Sequence, residues 1–398
     1  MKIIYLDFGE ARVLYGSAAS LINRGHEVIL IKPRIDIDHV EKKTKNVIIG
    51  NYYTSNNVKL NIMEVPVKYS EKNMISMVSN ESKNLEDIIS KFKPDIIISG
   101  VNFWLICKKI SNKYGIPLIL WLTVVPSVFK LGLYLKNGRM YNRLVTSSIG
   151  FFYNILAILK SDFIVTNDSF TTKFYKKLFI RKIETIWPTY TKFIGKDGYK
   201  EFLKNDNHLK VNLDFGKDYI LSVVTINKDS HTYSIEKKSF DFVKKVAKSC
   251  PELNFIVMGT SEKDINNYES EKIENLKLIG KIYDDSVISR LYLNSSCVIC
   301  PIYVPGFVNR ILESFYYGKL IFSTKLPSKY YENLKSNDNI VFVSDTQDCA
   351  NKLKEISVEF RKNIENNSIN YYMEYFDADK HAKKMEDIFN HIVGETDD

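Results

Sequence analysis

From Ile96 to Ser161 the chain contains no aspartate or glutamate, while eight lysines and arginines fall in the same span. Over all 398 residues, Lys+Arg number 56 and Asp+Glu 47, a net charge of +9. The surplus belongs to residues 1–200, with 30 basic and 16 acidic side chains; residues 201–398 hold 26 and 31. The first half is therefore suited to an anionic partner, and the second is not. Long apolar runs are also missing. The longest, Ile116 to Phe129, has 14 residues and is interrupted by Pro117 and Pro126, against the ~20 that a spanning helix needs. Met1-Lys2 leads straight into the strand-like Ile3-Ile4-Tyr5-Leu6, so no secretory leader is expected. The expectation is a cytoplasmic protein, with peripheral attachment to a membrane face as the only membrane option. Cysteine is scarce: five residues, an odd number at long spacings, which argues against a disulfide framework. Cys297 and Cys300 have metal or redox spacing but lie in an apolar strand-like run, so buried core thiols are expected. No aromatic-interleaved basic platform, helix-turn-helix or zinc module is present, which leaves nucleic acid without a recognition element.

What is present is alternation. Short continuous apolar runs (2–6, 27–31, 95–99, 117–122, 163–166) are separated by helical patterns such as 12–24 and 103–113, with Gly25 and Gly115 just past the helix ends. Strands apolar along their whole length, each followed by a helix, predict a parallel sheet covered on both faces. Residues 187–217, with Pro188, Gly195 and Gly198 and little periodicity, read as a connection between domains. Alternation then restarts: strands at 219–224, 254–258, 276–279, 297–301, 320–323 and 340–343, with helices at 239–249, 286–293 and 310–317. The tail, 363–393, reads as helical. The predicted fold is α/β, two tandem doubly wound Rossmann-like domains with ligands bound at an interdomain cleft. The expected boundaries are 1–205, 206–375 and a C-terminal helix, 376–398, that returns to the first domain.

The most specific motif runs Pro305-Gly306-Phe307-Val308-Asn309-Arg310-Ile311-Leu312-Glu313, then Gly318 before the next strand. A glycine loop entering a helix N-terminus offers backbone N–H groups and a positive dipole end to a diphosphate. Glu313, one turn inside, can accept hydrogen bonds from vicinal ribose hydroxyls. The same window is also compatible with an ordinary amphipathic helix carrying a solvated Arg310–Glu313 pair. It resembles the donor-site signature of family 4 retaining glycosyltransferases of the GT-B architecture. Looser similarities follow in order along the chain: Gly9 to Arg12, Arg24 to Val28, Lys93 to Ile97, Tyr114 to Pro117, Ser161 to Ser169, Gly280 to Ile282, and Phe376 to Ala378.

The resemblance implies a nucleotide-diphosphate sugar as donor substrate, bound mainly by the second domain, and no metal or other cofactor. Asp36-Ile37-Asp38 is accordingly not read as a metal site. Glu313 matches the family's ribose-binding glutamate. The first glutamate of the family's pair is Pro305 here, which leaves the donor sugar to backbone groups of Gly306 and Phe307 and to Asn309. Lys238 fits the diphosphate lysine or is a solvated lysine at a helix start. Lys228 replaces a missing arginine, Thr225 standing at the family's position, or is an exposed loop lysine. Arg310 adds a cation, and Gly280 and Ile282 match the turn that holds the base. Gly9 and Arg12 match the acceptor-side loop. The family's frequent histidine after the strand at 117–122 is missing; His26 reads as a turn residue, and His39, His208, His231, His381 and His391 have no constellation. In a retaining transfer the donor phosphate itself can take the acceptor proton. The acid-free stretch reads either as a core helix over 149–159 or as a membrane-facing segment around 129–153, with Lys130, Lys136, Arg139 and Arg143 on anionic headgroups. The expected function is a retaining glycosyltransferase acting on a glycan or polyprenyl-phosphate-linked oligosaccharide at the cytoplasmic membrane face. The alternative is a non-catalytic GT-B subunit that binds glycan or a partner transferase.

Overall fold

The computed structural model describes residues 1–6, 12–35, 48–54, 58–67, 77–122, 155–179, 182–190, 193–196, 218–224, 233–260, 272–280, 282, 285–303 and 308–394. It divides into two compact units, Met1–Lys204 with Asp377–Asp398, and Asn205–Phe376.

The first unit runs β1 (Lys2–Leu6), α1 (Arg12–Asn23), β2 (Glu27–Ile35), β3 (Ile48–Thr54), β4 (Lys59–Val67), α2 (Met77–Phe92), β5 (Ile96–Gly100), α3 (Trp104–Tyr114) and β6 (Leu118–Leu122). After a helical turn at 155–160 come β7 (Phe163–Thr166), α4 (Ser169–Leu178), β8 (Ile183–Thr185) and β9 (Phe193–Lys196). The nine strands are ordered β8-β7-β6-β5-β1-β2-β4-β3-β9. Successive residues of a strand point to opposite faces, and both faces are covered. Ile3, Tyr5, Ile96, Ile98, Ile119 and Trp121 enter one core, where α1 packs. Ile4, Leu6, Ile97, Leu118, Leu120 and Leu122 enter the other, under α2 and α3. That two-sided demand explains the unbroken apolar runs. Gly115 ends α3 in the left-handed conformation (φ 68°), and Asp168 caps α4 by accepting from the Thr171 N–H.

Two expectations need correction. The sheet is not wholly parallel, because β3 pairs antiparallel with both β4 and β9. And β9 lies inside the segment read as an interdomain connection. Its four residues include Gly195 and are too few to show alternation, so pairing with β3 makes them a strand rather than propensity of their own.

The second unit contains β10 (Tyr219–Val223), α5 (Tyr233–Ser249), β11 (Phe255–Met258), β12 (Leu276–Ile279), α6 (Asp285–Asn294), β13 (Ser295–Cys300), α7 (Asn309–Tyr316), β14 (Ile321–Ser323), β15 (Val341–Phe342), α8 (Thr346–Glu355) and α9 (Val358–Tyr375). Its six-stranded sheet, β12-β11-β10-β13-β14-β15, is parallel throughout. Cys297 sits in its core, and all five cysteines are buried and free. Burial pushes the Cys297 and Cys300 thiols up to about 12, which keeps them protonated and unreactive.

The last helix, α10 (Ala378–Gly394), packs in the first unit. Ala382, Met385, Ile388, Phe389 and Ile392 complete the core beside α1. Its Glu386 accepts from Arg24 at 2.9 Å and lies 2.9 Å from His26 Nε2, so His26 is a structural turn residue. No helix among the described residues is long and apolar enough to cross a membrane.

One close approach is a test of this packing. A Cβ built on Gly16 of α1 would lie 2.3 Å from the Thr189 carbonyl oxygen. Gly16→Ala therefore forces α1 and the chain at Thr189 apart. A net loss of about 1–3 kcal/mol is expected in urea unfolding, although alanine alone favours a helix by ~1 kcal/mol.

Candidate active site

In an open parallel sheet, ligands bind beyond the strand C-termini where the chain order reverses. In the second unit that point lies between β10 and β13: the chain leaves β10 toward β11 and β12, and leaves β13 toward β14 and β15. The residues at these two strand ends are tied together. Ser222 Oγ donates to the Ile299 carbonyl and Ser239 Oγ to that of Pro301. The second bond fixes the middle of α5 beside the end of β13.

Helix α7 begins here. Its N-cap, Val308, is extended and supplies no side-chain cap. Tyr331 holds Val308 instead, donating its hydroxyl proton to the Val308 carbonyl (2.7 Å) and lying 3.3 Å from the Val308 N–H. Arg310, in the first turn, reaches across the sheet ends. Its Nη1 donates to the Val223 carbonyl at 2.7 Å and its Nη2 to Glu236 Oε1 of α5 at 2.8 Å. Both side chains are largely buried, 18% and 12% exposed. Arg310 thus fastens α7 to the end of β10 and to α5, with its charge matched by Glu236. The solvated Arg310–Glu313 pair considered from spacing is replaced by this longer-range one. Glu313, one turn further, accepts from the Tyr292 hydroxyl at 3.1 Å.

Lys238 is exposed on α5, with its ammonium 4.2 Å from the ring centre of Tyr303, just past β13. Lys238 and Arg310 are therefore arranged around one set of strand ends, with Glu313 one turn further along α7. Asn309 is exposed at the start of α7. Gly280 and Ile282 lie beyond β12, on the far side of β11. There the Gly280 carbonyl accepts from the Gly259 N–H (3.2 Å), and Thr260 Oγ1 donates to that of Ile279. Arg12 opens α1 in the first unit. Gly9, Lys228, Gly306, Phe307, Lys130, Lys136, Arg139 and Arg143 lie outside the described residues, as do Thr225, Pro305 and Asp36 to Asp38.

Sequence spacing missed Glu236, Tyr292 and Tyr331, whose partners sit on other elements. It also left His381 without a constellation, and that reading is corrected. His381 is 4% exposed. Its Nδ1 lies 2.8 Å from the Trp187 carbonyl and its Nε2 2.7 Å from Ser17 Oγ, which in turn is 2.8 Å from the Tyr5 hydroxyl. Its ring stacks on Trp121 (centroids 6.1 Å apart). Nδ1–H donates to the Trp187 carbonyl, so Nε2 of the neutral ring accepts from Ser17. Burial lowers the imidazole pKa from 6.5 to about 4. The unfolded chain takes up this proton below about 6.5 and the folded chain only below about 4, so stability falls as pH drops through that window. The shift corresponds to roughly 3 kcal/mol. His381→Gln is expected to flatten the pH dependence of the urea midpoint between pH 4 and 6.5; an unchanged slope would rule out His381 as its source.

Residues 229–357 match the family model described as glycosyl transferases group 1. No curated protein sequence matches the chain. Among solved structures, sucrose-phosphate synthase from Thermosynechococcus elongatus superposes with TM-score 0.71 at 11% identity, covering 99% of this chain and 100% of that one. Anabaena HepE in complex with UDP-glucose gives 0.64 at 13% identity, with 98% and 100% covered. The apo form of the lipopolysaccharide outer core galactosyltransferase WaaB gives 0.57 at 13%, with 98% and 100% covered. The chain thus has the GT-B fold, and residues 229–357, in its second unit, are similar to glycosyl transferases group 1.

Proposed function

We propose that the protein is a retaining glycosyltransferase that moves a sugar from a nucleotide-diphosphate donor to a glycan or polyprenyl-phosphate-linked oligosaccharide at the cytoplasmic membrane face. The observation that carries this reading is the start of α7: a helix N-terminus with no side-chain cap, at the β10/β13 switch point, with Glu313 one turn inside. The donor diphosphate lies against the α7 N–H groups and the backbone of Gly306 and Phe307, with Lys238 and Lys228 as cations. Glu313 accepts from the ribose hydroxyls. Asn309 contacts the donor sugar, and Gly280 and Ile282 frame the base. The departing diphosphate is stabilised by these groups without a metal, and its oxygen takes the acceptor hydroxyl proton. Gly9 and Arg12 face the acceptor, and Lys130, Lys136, Arg139 and Arg143 meet anionic headgroups.

A thermal-shift screen with UDP, GDP and ADP and their common sugar conjugates tests the donor side, since a ligand of the native state raises the melting temperature. A rise with one nucleotide series is expected; no shift with any would refute the reading. Flotation with anionic liposomes tests the membrane side, and wild-type protein that stays unbound at low salt removes it.

One observation favours the second reading, a non-catalytic GT-B subunit. Glu236 neutralises Arg310, which leaves fewer cations for a departing diphosphate. Donor hydrolysis separates the two: no turnover of any common nucleotide sugar, together with a stable partner protein, supports the subunit.

A further inference from the structure

A carboxylate that must meet two vicinal hydroxyls has to be held, because a free glutamate side chain samples many rotamers. One contact of Glu313 has a defined geometry. Tyr292, on α6, donates its hydroxyl proton to Glu313 Oε2. Tyr292 is 0% exposed, and three features fix its ring. It stacks face to face on Tyr317, with centroids 4.7 Å apart and planes 12° from parallel. Tyr317 is itself fixed, its hydroxyl 2.9 Å from the buried Ser289 Oγ. And α6 passes into β13 without a loop, where Ser295 Oγ donates to the Tyr292 carbonyl at 2.7 Å.

We infer that Tyr292 is a positioning residue, which orients the Glu313 carboxylate toward the ribose diol of the donor. The inference rests on the donor-site reading above. A phenol O–H can donate one bond, and a carboxylate has about four acceptor positions. Tyr292 therefore takes one acceptor position on Oε2 and biases the orientation of the carboxylate, which meets the ribose diol through other acceptor positions. Tyr292 does not touch the ligand; it acts through Glu313.

Tyr292→Phe keeps the ring and its stack and removes only the hydroxyl. The measurement is the dissociation constant, by calorimetry, for the nucleoside diphosphate giving the largest thermal shift and for its 2′-deoxy and 3′-deoxy counterparts. Wild-type protein is expected to prefer the ribose form by about 10-fold or more. In Tyr292→Phe the ribose form should weaken by about 10-fold and the deoxy forms by less than about 2-fold, so the preference collapses. In a Glu313→Ala background, Tyr292→Phe should have no further effect, as expected of two residues acting as one unit. Should Tyr292→Phe fail to fold, Ser289→Ala, which removes the contact between Ser289 Oγ and the Tyr317 hydroxyl, should reduce the same preference in the same direction. An unchanged preference, or equal weakening of ribose and deoxy forms, overturns the positioning role and leaves the donor site standing. Wild-type protein that binds no nucleoside diphosphate overturns both.

Discussion

Glu313→Ala is expected to cut sugar transfer by roughly 10²- to 10⁴-fold, the equivalent of losing two charge-assisted hydrogen bonds. The loss arises because the site beyond β10 and β13 has one carboxylate at the right turn of α7 to meet a ribose, and alanine supplies no acceptor there. The variant also leaves the Tyr292 hydroxyl without the Glu313 oxygen, so a drop of about 1–2 kcal/mol in stability accompanies it. Glu313→Gln separates the two effects. The amide oxygen still accepts from Tyr292, so stability should return, while the weaker, uncharged acceptor leaves transfer well below wild type. Steady-state kinetics with the preferred donor, alongside urea unfolding, provide the check. Full activity in Glu313→Ala would refute the donor-site assignment.

Arg310→Met should lower stability by about 3–5 kcal/mol. The guanidinium satisfies the Val223 carbonyl and Glu236 Oε1 together. Glu236 Oε2 is buried and has no hydrogen-bond partner among the described residues, so methionine leaves a buried carboxylate without its Arg310 partner and a strand end with an unmet carbonyl. The penalty is that of an uncompensated charge rather than of a lost attraction. Arg310→Met combined with Glu236→Leu should therefore recover most of the stability, since two apolar groups of similar size need no partner. A loss under about 1 kcal/mol in the single variant would show that water already reaches the pair. The double variant also tests whether the fastening of α7 to β10 and α5 matters for donor binding independently of fold stability.

Much of the fold was legible because the central strands face apolar helices on both sides. Ile96 to Ser99 and Leu118 to Leu122 have no polar residue that a one-sided strand would carry, apart from the buried Ser99. Strand β3 and its antiparallel partners were not legible. Asn51-Tyr52-Tyr53-Thr54 shows no clear alternation, and its pairing with β9 joins residues far apart in sequence. Helix α5 begins at Tyr233, before the expected Ser239, because its first turns carry charges rather than an apolar stripe. The local part of the site was legible for the opposite reason: the loop, Arg310 and Glu313 lie within one helix turn or two. The supporting groups were not. Tyr292 is 21 residues from Glu313, Glu236 is 74 from Arg310, and His381 is 194 from Trp187. No spacing rule reaches those distances; only the fold brings the pairs together.

The docking of α10 has a consequence for synthesis. The second unit is one continuous stretch, Asn205–Phe376, whereas the first is closed by residues 377–398, made after all the rest of it. The first unit, begun earlier, stays open on one side of its sheet until Phe389 and Ile392 arrive. The earlier-made unit therefore waits with Ala18, Leu21 and Trp121 uncovered while the whole of the second unit is synthesised. Vectorial folding in the usual N-to-C order is thus held up in the first unit, whose core is complete only on the return of α10.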